Sequence, residues 1–172
     1  MSTSRLFRRI LVPHDFSPHA TRALGIAVEL AGADGELHVL HVISAVLPVT
    51  GMPGEAALWF PPKELVADEL RRLEAQAEKS TRGRGPRVRC KVEIGDPFHQ
   101  IIAAARRVDS IVMATAGRTG LSHLLIGSVA EKVVRHAPVP VLTIRPRAAR
   151  AAAAPTARRT RRRSPSRAAS RR

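Results

Sequence analysis

Short apolar runs alternate with helix-patterned segments along residues 1–146, and no other feature restricts the fold as strongly. Ile10, Leu11 and Val12, stopped by Pro13, are too few for a helix and read as a buried strand. Ser17-Pro18 supplies an N-cap and a first-turn proline for a helix whose face is Ala20, Leu24, Ala27 and Ala31. Residues 35–43 read as a second strand, and residues 44–61, with Gly51, Pro53 and Gly54, as a loop. After Pro62, the spacing of Val66, Leu70, Leu73 and Ala77 predicts a second helix that closes in a turn at residues 83–86.

Val88, Cys90, Val92 and Ile94 alternate with Arg89, Lys91 and Glu93, the signature of a strand with one wet face or edge. Asp96-Pro97 caps a third helix carrying Phe98, Ile101, Ile102, Ala105 and Val108. Residues 110–115 form another continuously apolar strand, residues 128–136 a fourth helix, and residues 139–144 a last strand. Pro140 cannot donate to a ladder, so that strand belongs at a sheet edge or begins there.

The resulting β-α-β-α-β-α-β-α-β order predicts an α/β fold: a doubly wound, five-stranded parallel sheet with helices on both faces. The strands at residues 10–12 and 111–114 are apolar throughout, hence central. In such sheets ligands bind beyond the carboxyl ends of the strands, where the winding reverses. If the two central strands are neighbours, the loops at residues 13–17 and 115–127 meet there.

Gly117, Gly120 and Gly127 flank a segment leading into the fourth helix. Ser128-Val129-Ala130-Glu131 has the pattern of a capping box. Free amides approached over glycines also make an anion site, and either role fits these residues. Neither G-x-x-x-x-G-K-[ST] nor a G-x-G-x-x-G after the first strand is present. Asp15 can accept from a ribose, help hold a divalent cation or cap the first helix. His14, Asp15 and His19 have no second ligand cluster at metal spacing.

His38 and His41 lie at odd separation on one strand, so they face opposite sides and read as core or edge histidines. Cys90 reads as a structural thiol rather than a nucleophile. Trp59-Phe60 fit either a lid or a packing contact. No G-x-S-x-G and no placed carboxylate pair indicates catalysis.

The net charge of +15 divides unevenly along the chain. Residues 147–172 hold ten arginines and no acid among Ala, Ser, Pro and Thr, while residues 1–146 carry only +5. With nothing bulky to bury, the basic segment is expected to be a disordered tail beside one domain at residues 1–146. The tail alone is a candidate for contact with nucleic acid or other polyanions, or it is simply solvated. It lacks interleaved aromatics, so base stacking is not expected. One cysteine, an N-terminal apolar run too short for a signal peptide and no stretch near a membrane span predict a cytoplasmic protein.

The segments RRILVPHDFSPHA, LHVLHVI and IVMATAGRTGLSHLLIGSVAEKVVRHAPVPVLTIRP resemble the universal stress protein family over residues 8–146. The resemblance implies a Rossmann-like α/β fold with strand order 3-2-1-4-5 and a homodimer formed through residues 139–144. It also implies a stress-response regulatory role. One branch of the family binds ATP and another lacks the nucleotide motif. The ATP-binding branch carries G-x2-G-x9-G-[ST] after the fourth strand, matched here by Ala114, Gly117, Gly127 and Ser128.

Spacing is intact, and the departure is Ala114 for the first glycine, a residue that positive φ would strain. Ala116 and His14 stand where relatives often carry His and Thr. By resemblance, Gly117, Gly127, Ser128 and Val129 lie near the phosphates, with Met113 and Ala114 lining the pocket beside them. Pro13, His14 and Asp15 lie by the adenosine, Val42 touches the base and Arg118 reaches toward a phosphate. The implied cofactor is ATP, with Mg as an optional companion. Some relatives suggest slow hydrolysis or self-phosphorylation, which no residue here demonstrates.

Overall fold

The helices that begin after Ser17 and Asp96 start at side-chain caps, and the central strands form on the apolar runs at residues 10–12 and 111–114. The computed structural model describes residues 7–44, 46–48, 56–58, 61–82, 85–115 and 127–145. Its elements are β1 (Arg9–Pro13), α1 (Pro18–Ala31), β2 (Glu36–Ile43), β3 (Val46–Pro48), β4 (Ala56–Leu58) and α2 (Lys63–Thr81). They continue as β5 (Arg87–Ile94), α3 (Pro97–Ala105), β6 (Ser110–Ala114), α4 (Ser128–His136) and β7 (Val141–Ile144).

Five strands form one parallel sheet in the order β5-β2-β1-β6-β7. Counted without β3 and β4, that is the predicted 3-2-1-4-5 order. The two strands with unbroken apolar runs, β1 and β6, are neighbours at its centre. Pro140 immediately precedes β7, an edge strand, as its missing donor requires.

Residues 44–61 depart from the expected plain loop. β3 and β4 pair antiparallel there, Val46 opposite Leu58. Three-residue strands are too short for period-2 alternation to distinguish them from loop, so the pairing had no visible signal. Trp59-Phe60 lie outside the described residues.

Alternation along the strands sorts the core into two layers. Ile10, Val12, Leu37, Val39 and Val112 pack with Leu24 and Ala27 of α1 and Leu73 of α2. Leu11, Leu40, Ile111 and Met113 face the other way, against Ile101 and Ala105 of α3 and Ala130 and Val133 of α4. At the amino rim, the Arg9 guanidinium meets Asp109 at 2.7 Å and holds its carboxyl below the usual range, tying β1 to the approach of β6.

α1 begins as its sequence predicts. Buried Ser17 accepts from the Ala20 amide at 3.1 Å, and Pro18 occupies the first turn. Removing that hydroxyl in Ser17→Ala orphans a buried amide, and a loss of about 1–2 kcal/mol is expected by urea denaturation. An unchanged midpoint would show that the cap contributes nothing.

Candidate functional site

The carboxyl ends of β1, β2 and β6 open into a cavity of about 300 Å³. Nine of the ten residues expected at the site line it: Pro13, His14, Asp15, Val42, Met113, Ala114, Gly127, Ser128 and Val129. The tenth, Gly117, lies outside the described residues, as do Ala116, Arg118 and Gly120.

The floor is a turn built by local hydrogen bonds. The His14 amide donates to Leu40 O at 2.8 Å, extending the β1–β2 ladder by one residue. The Phe16 amide donates to His14 Nδ1 at 3.2 Å, and the Ser17 amide to Asp15 Oδ1 at 3.0 Å. Of the roles open to Asp15, it thus caps this turn while lining the cavity. Phe16 adopts φ 64°, the left-handed region that a bulky residue rarely occupies. Its ring is clamped by His41 at 4.6 Å and by the Arg72 guanidinium at 4.1 Å, contacts that offset the backbone strain.

The histidines here hold defined protons. His41 Nδ1 donates to His14 O at 2.8 Å, and His14 Nδ1 accepts, so His14 carries its proton on Nε2. His14 is only 3% exposed, and burial pushes its pKa down to about 4, with His41 and Arg72 adding to the shift and Asp15 opposing it. Because the folded value lies below the unfolded value of about 6.5, stability is full above that pH and falls as pH drops toward 4. The expected loss is about 2–3 kcal/mol, measured as the difference in unfolding free energy between neutral and acidic buffer. His14→Asn keeps an acceptor for the Phe16 amide and should flatten that part of the profile. An equally steep profile in the variant would assign it to other groups.

The opposite wall corrects the sequence reading of residues 128–131. Gly127, not Ser128, is the N-cap of α4, and no side chain caps it. Ser128 is already helical, and Glu131 pairs with Arg135 at 2.9 Å instead of reaching back. The decisive contact is tertiary: the Gly127 amide donates to Thr115 O at 2.6 Å, docking the helix start onto the end of β6. The first intrahelical bond runs from the Glu131 amide to Gly127 O. The amides of Ser128, Val129 and Ala130 therefore have no partner within the helix.

Ala114 is the last residue of β6, in register with Ile144, and the positive-φ positions among the described non-glycine residues are Phe16 and Arg82. Alanine at the first motif position thus carries no backbone strain. Its methyl is part of the cavity wall.

The family model described as the universal stress protein family matches residues 6–145. The chain belongs to that family. A universal stress protein of Thermus aquaticus is 36% identical over 143 residues, covering 81% of this chain and 100% of the relative. One from Methanocaldococcus jannaschii is 32% identical over 143 residues, covering 81% and 83%. Among solved structures, an Arabidopsis thaliana family member with AMP bound superposes at TM-score 0.54 with 21% identity, covering 81% of this chain and 92% of that one. A universal stress protein in complex with cAMP gives TM-score 0.57 with 20% identity, covering 80% and 96%. At those identities the two structures establish the shared fold.

Other residues line the universal stress protein cavity without having been singled out as site residues, among them His41, Pro97, Ile101 and Thr115. Thr115 directly follows a central strand, a position that the strand-end rule itself marks. Pro97 and Ile101 open α3, whose start faces the same rim because every helix here follows the carboxyl end of a strand. His38 lies on the opposite face beside Glu36, at 3.2 Å, as the odd separation from His41 requires. Burial pushes the Cys90 thiol up to about 11, so it stays protonated at neutral pH and fits the structural reading. No group of three or more His, Cys, Asp or Glu among the described residues could hold a metal. No described helix is long and apolar enough to cross a membrane.

Proposed function

We propose that this universal stress protein is a regulatory module that binds ATP in the cavity at the carboxyl ends of β1, β2 and β6. The observation that carries the reading is the start of α4. Three amides without helical partners stand behind a glycine, beside a cavity large enough for a small ligand. Phosphates take the amides of Ser128 and Val129 and the Ser128 hydroxyl. Asp15 takes the ribose, and Val42 with Pro13 and His14 borders the adenine.

Among the described residues, Asp15 is the only carboxylate lining the cavity. It suits Mg held mainly by the nucleotide's own phosphates rather than a protein cage. The AMP and cAMP reported for two structural neighbours belong to the same ligand class. The domain spans residues 1–146, works in the cytoplasm, and carries residues 147–172 as a basic tail that attracts polyanions.

The deciding experiment is acid extraction of the purified full chain, identification of any released nucleotide, and melting with added ATP. A co-purified adenine nucleotide, or a rise in melting temperature with ATP, is expected. Neither at millimolar ATP would overturn the reading in favour of a dimer without nucleotide. ADP release lost in Asp15→Ala would instead make the protein a slow ATPase.

The partner surface in this proposal is the β7 edge. Among the described residues β7 pairs on one side only, and Leu142 is 38% exposed on it. A second copy meeting this edge forms the homodimer. Leu142→Lys is therefore expected to sediment as a monomer where the parent sediments as a dimer. A dimeric variant would move the interface elsewhere.

A further inference from the structure

The basic tail is the expected polyanion contact, but the folded domain carries a basic stripe of its own. On β5, Val88, Cys90 and Val92 pack toward α1 and α2, so Arg87, Arg89 and Lys91 project from the opposite face. β5 is a sheet edge, and α3 on that face packs against β2 and β1. The register sets Arg87 beside Glu36, with Arg9 on the far side of that acid, Arg89 beside His38, and Lys91 beside Leu40. The Arg89 and Lys91 side chains are 62% and 69% exposed.

Hollows flank the stripe at both ends. One of about 330 Å³ lies at the amino rim and includes Arg8, Arg9 and Arg87 in its lining. Another of about 250 Å³ lies against α3 and includes Lys91, Gln100 and Arg107. Three of the local carboxylates are engaged, Glu36 with Arg89, Glu93 with Lys91 and Asp109 with Arg9, and a fourth, Asp34, lines the hollow at the amino rim. Arg8, Arg87 and Arg107 make no ion pair with any described residue, which leaves the surface a cationic surplus.

We infer that this face is a docking surface for an extended phosphate chain, a single-stranded nucleic acid held by its backbone. Alternate residues on a strand step about 6.7 Å, placing cations in a row on a comparable scale to the phosphates of a stretched strand. The phosphates of one duplex strand instead recur about every 3.4 Å along the axis. No aromatic residue lies on the β5 stripe, so recognition is electrostatic and indifferent to sequence.

The test uses the full chain, a labelled oligothymidylate and, in a separate arm, inorganic polyphosphate. Arg87→Ala combined with Lys91→Ala is expected to flatten the slope of log affinity against log salt by about 1.4, two contacts at about 0.7 each. A control of equal charge, Arg71→Ala with Arg135→Ala, should leave the slope unchanged. Amine acetylation of Lys91 in the parent chain should slow when the oligothymidylate is bound. The inference is overturned if the double variant keeps the parental slope, if the control loses as much, or if Lys91 is acetylated at one rate throughout. Protection by polyphosphate but not by oligothymidylate would overturn the nucleic-acid assignment and name the inorganic polymer instead.

Discussion

Gly127→Val is expected to abolish nucleotide binding in a chain that still folds. A Cβ at this position would sit 3.2 Å from Thr115 O, the carbonyl that accepts the Gly127 amide. That contact is tight, and the opposing atom is backbone, which cannot swing away. Valine adds two further methyls, which must press on the end of β6 or project over the amides of Ser128 and Val129. Either outcome denies phosphate oxygens their approach to the helix start. Losing those charge-assisted bonds costs about 3 kcal/mol or more, so Kd should rise at least about a hundredfold in calorimetric titration with ATP.

The fold should survive because Gly127 has φ −59° and ψ 150°, an ordinary extended conformation open to any residue. Gly127→Ala, with one methyl, should fall between parent and valine variant. A folded Gly127→Val that binds ATP as the parent does would remove α4 from the binding site.

The largest stability effect is expected at Leu73→Ala. α2 runs for 19 residues, yet its fully buried anchors are only Leu73 and Ala77. Leu73 is 0% exposed in the layer formed by Ile10, Val12, Leu24, Leu37 and Val39. Truncation removes the helix's main apolar contact and leaves a cavity against rigid strands. A loss of about 2–5 kcal/mol is expected from urea denaturation. Leu70→Ala, at a half-buried position of the same helix, should cost clearly less. A loss at Leu73 below about 1 kcal/mol would mean that α2 is only loosely docked.

Particular residues show why the fold was legible and parts of the site were not. The runs at residues 10–12 and 111–114 are apolar at every position because both faces of β1 and β6 are covered, so burial wrote itself directly into composition. Ser17-Pro18 and Asp96-Pro97 are local devices whose acceptor lies within three residues of its donor, and both caps form. Ser128 and Glu131 have the same local grammar, yet their box does not form. The helix start is held by Thr115, twelve residues back in the sequence from Gly127 and across the sheet end. A motif cannot register a competitor that only folding brings near. The β3–β4 pair was hidden for another reason, since strands of three residues carry no period.

Charge shows the same division. Counting assigned two thirds of the +15 to residues 147–172, and that partition needs no coordinates. The alternation and the two central strands likewise lay in the residues themselves, because hydrophobic period is a property of the linear chain, while the full strand order came with the family resemblance. Only the tertiary structure decided which residues share a surface. It freed the amides of α4 by docking Gly127 on β6, buried His14 until its imidazole stays neutral, and aligned Arg87, Arg89 and Lys91 beside α3. These are outcomes of long-range packing. They depend on distances between residues far apart in the chain, which no local pattern encodes.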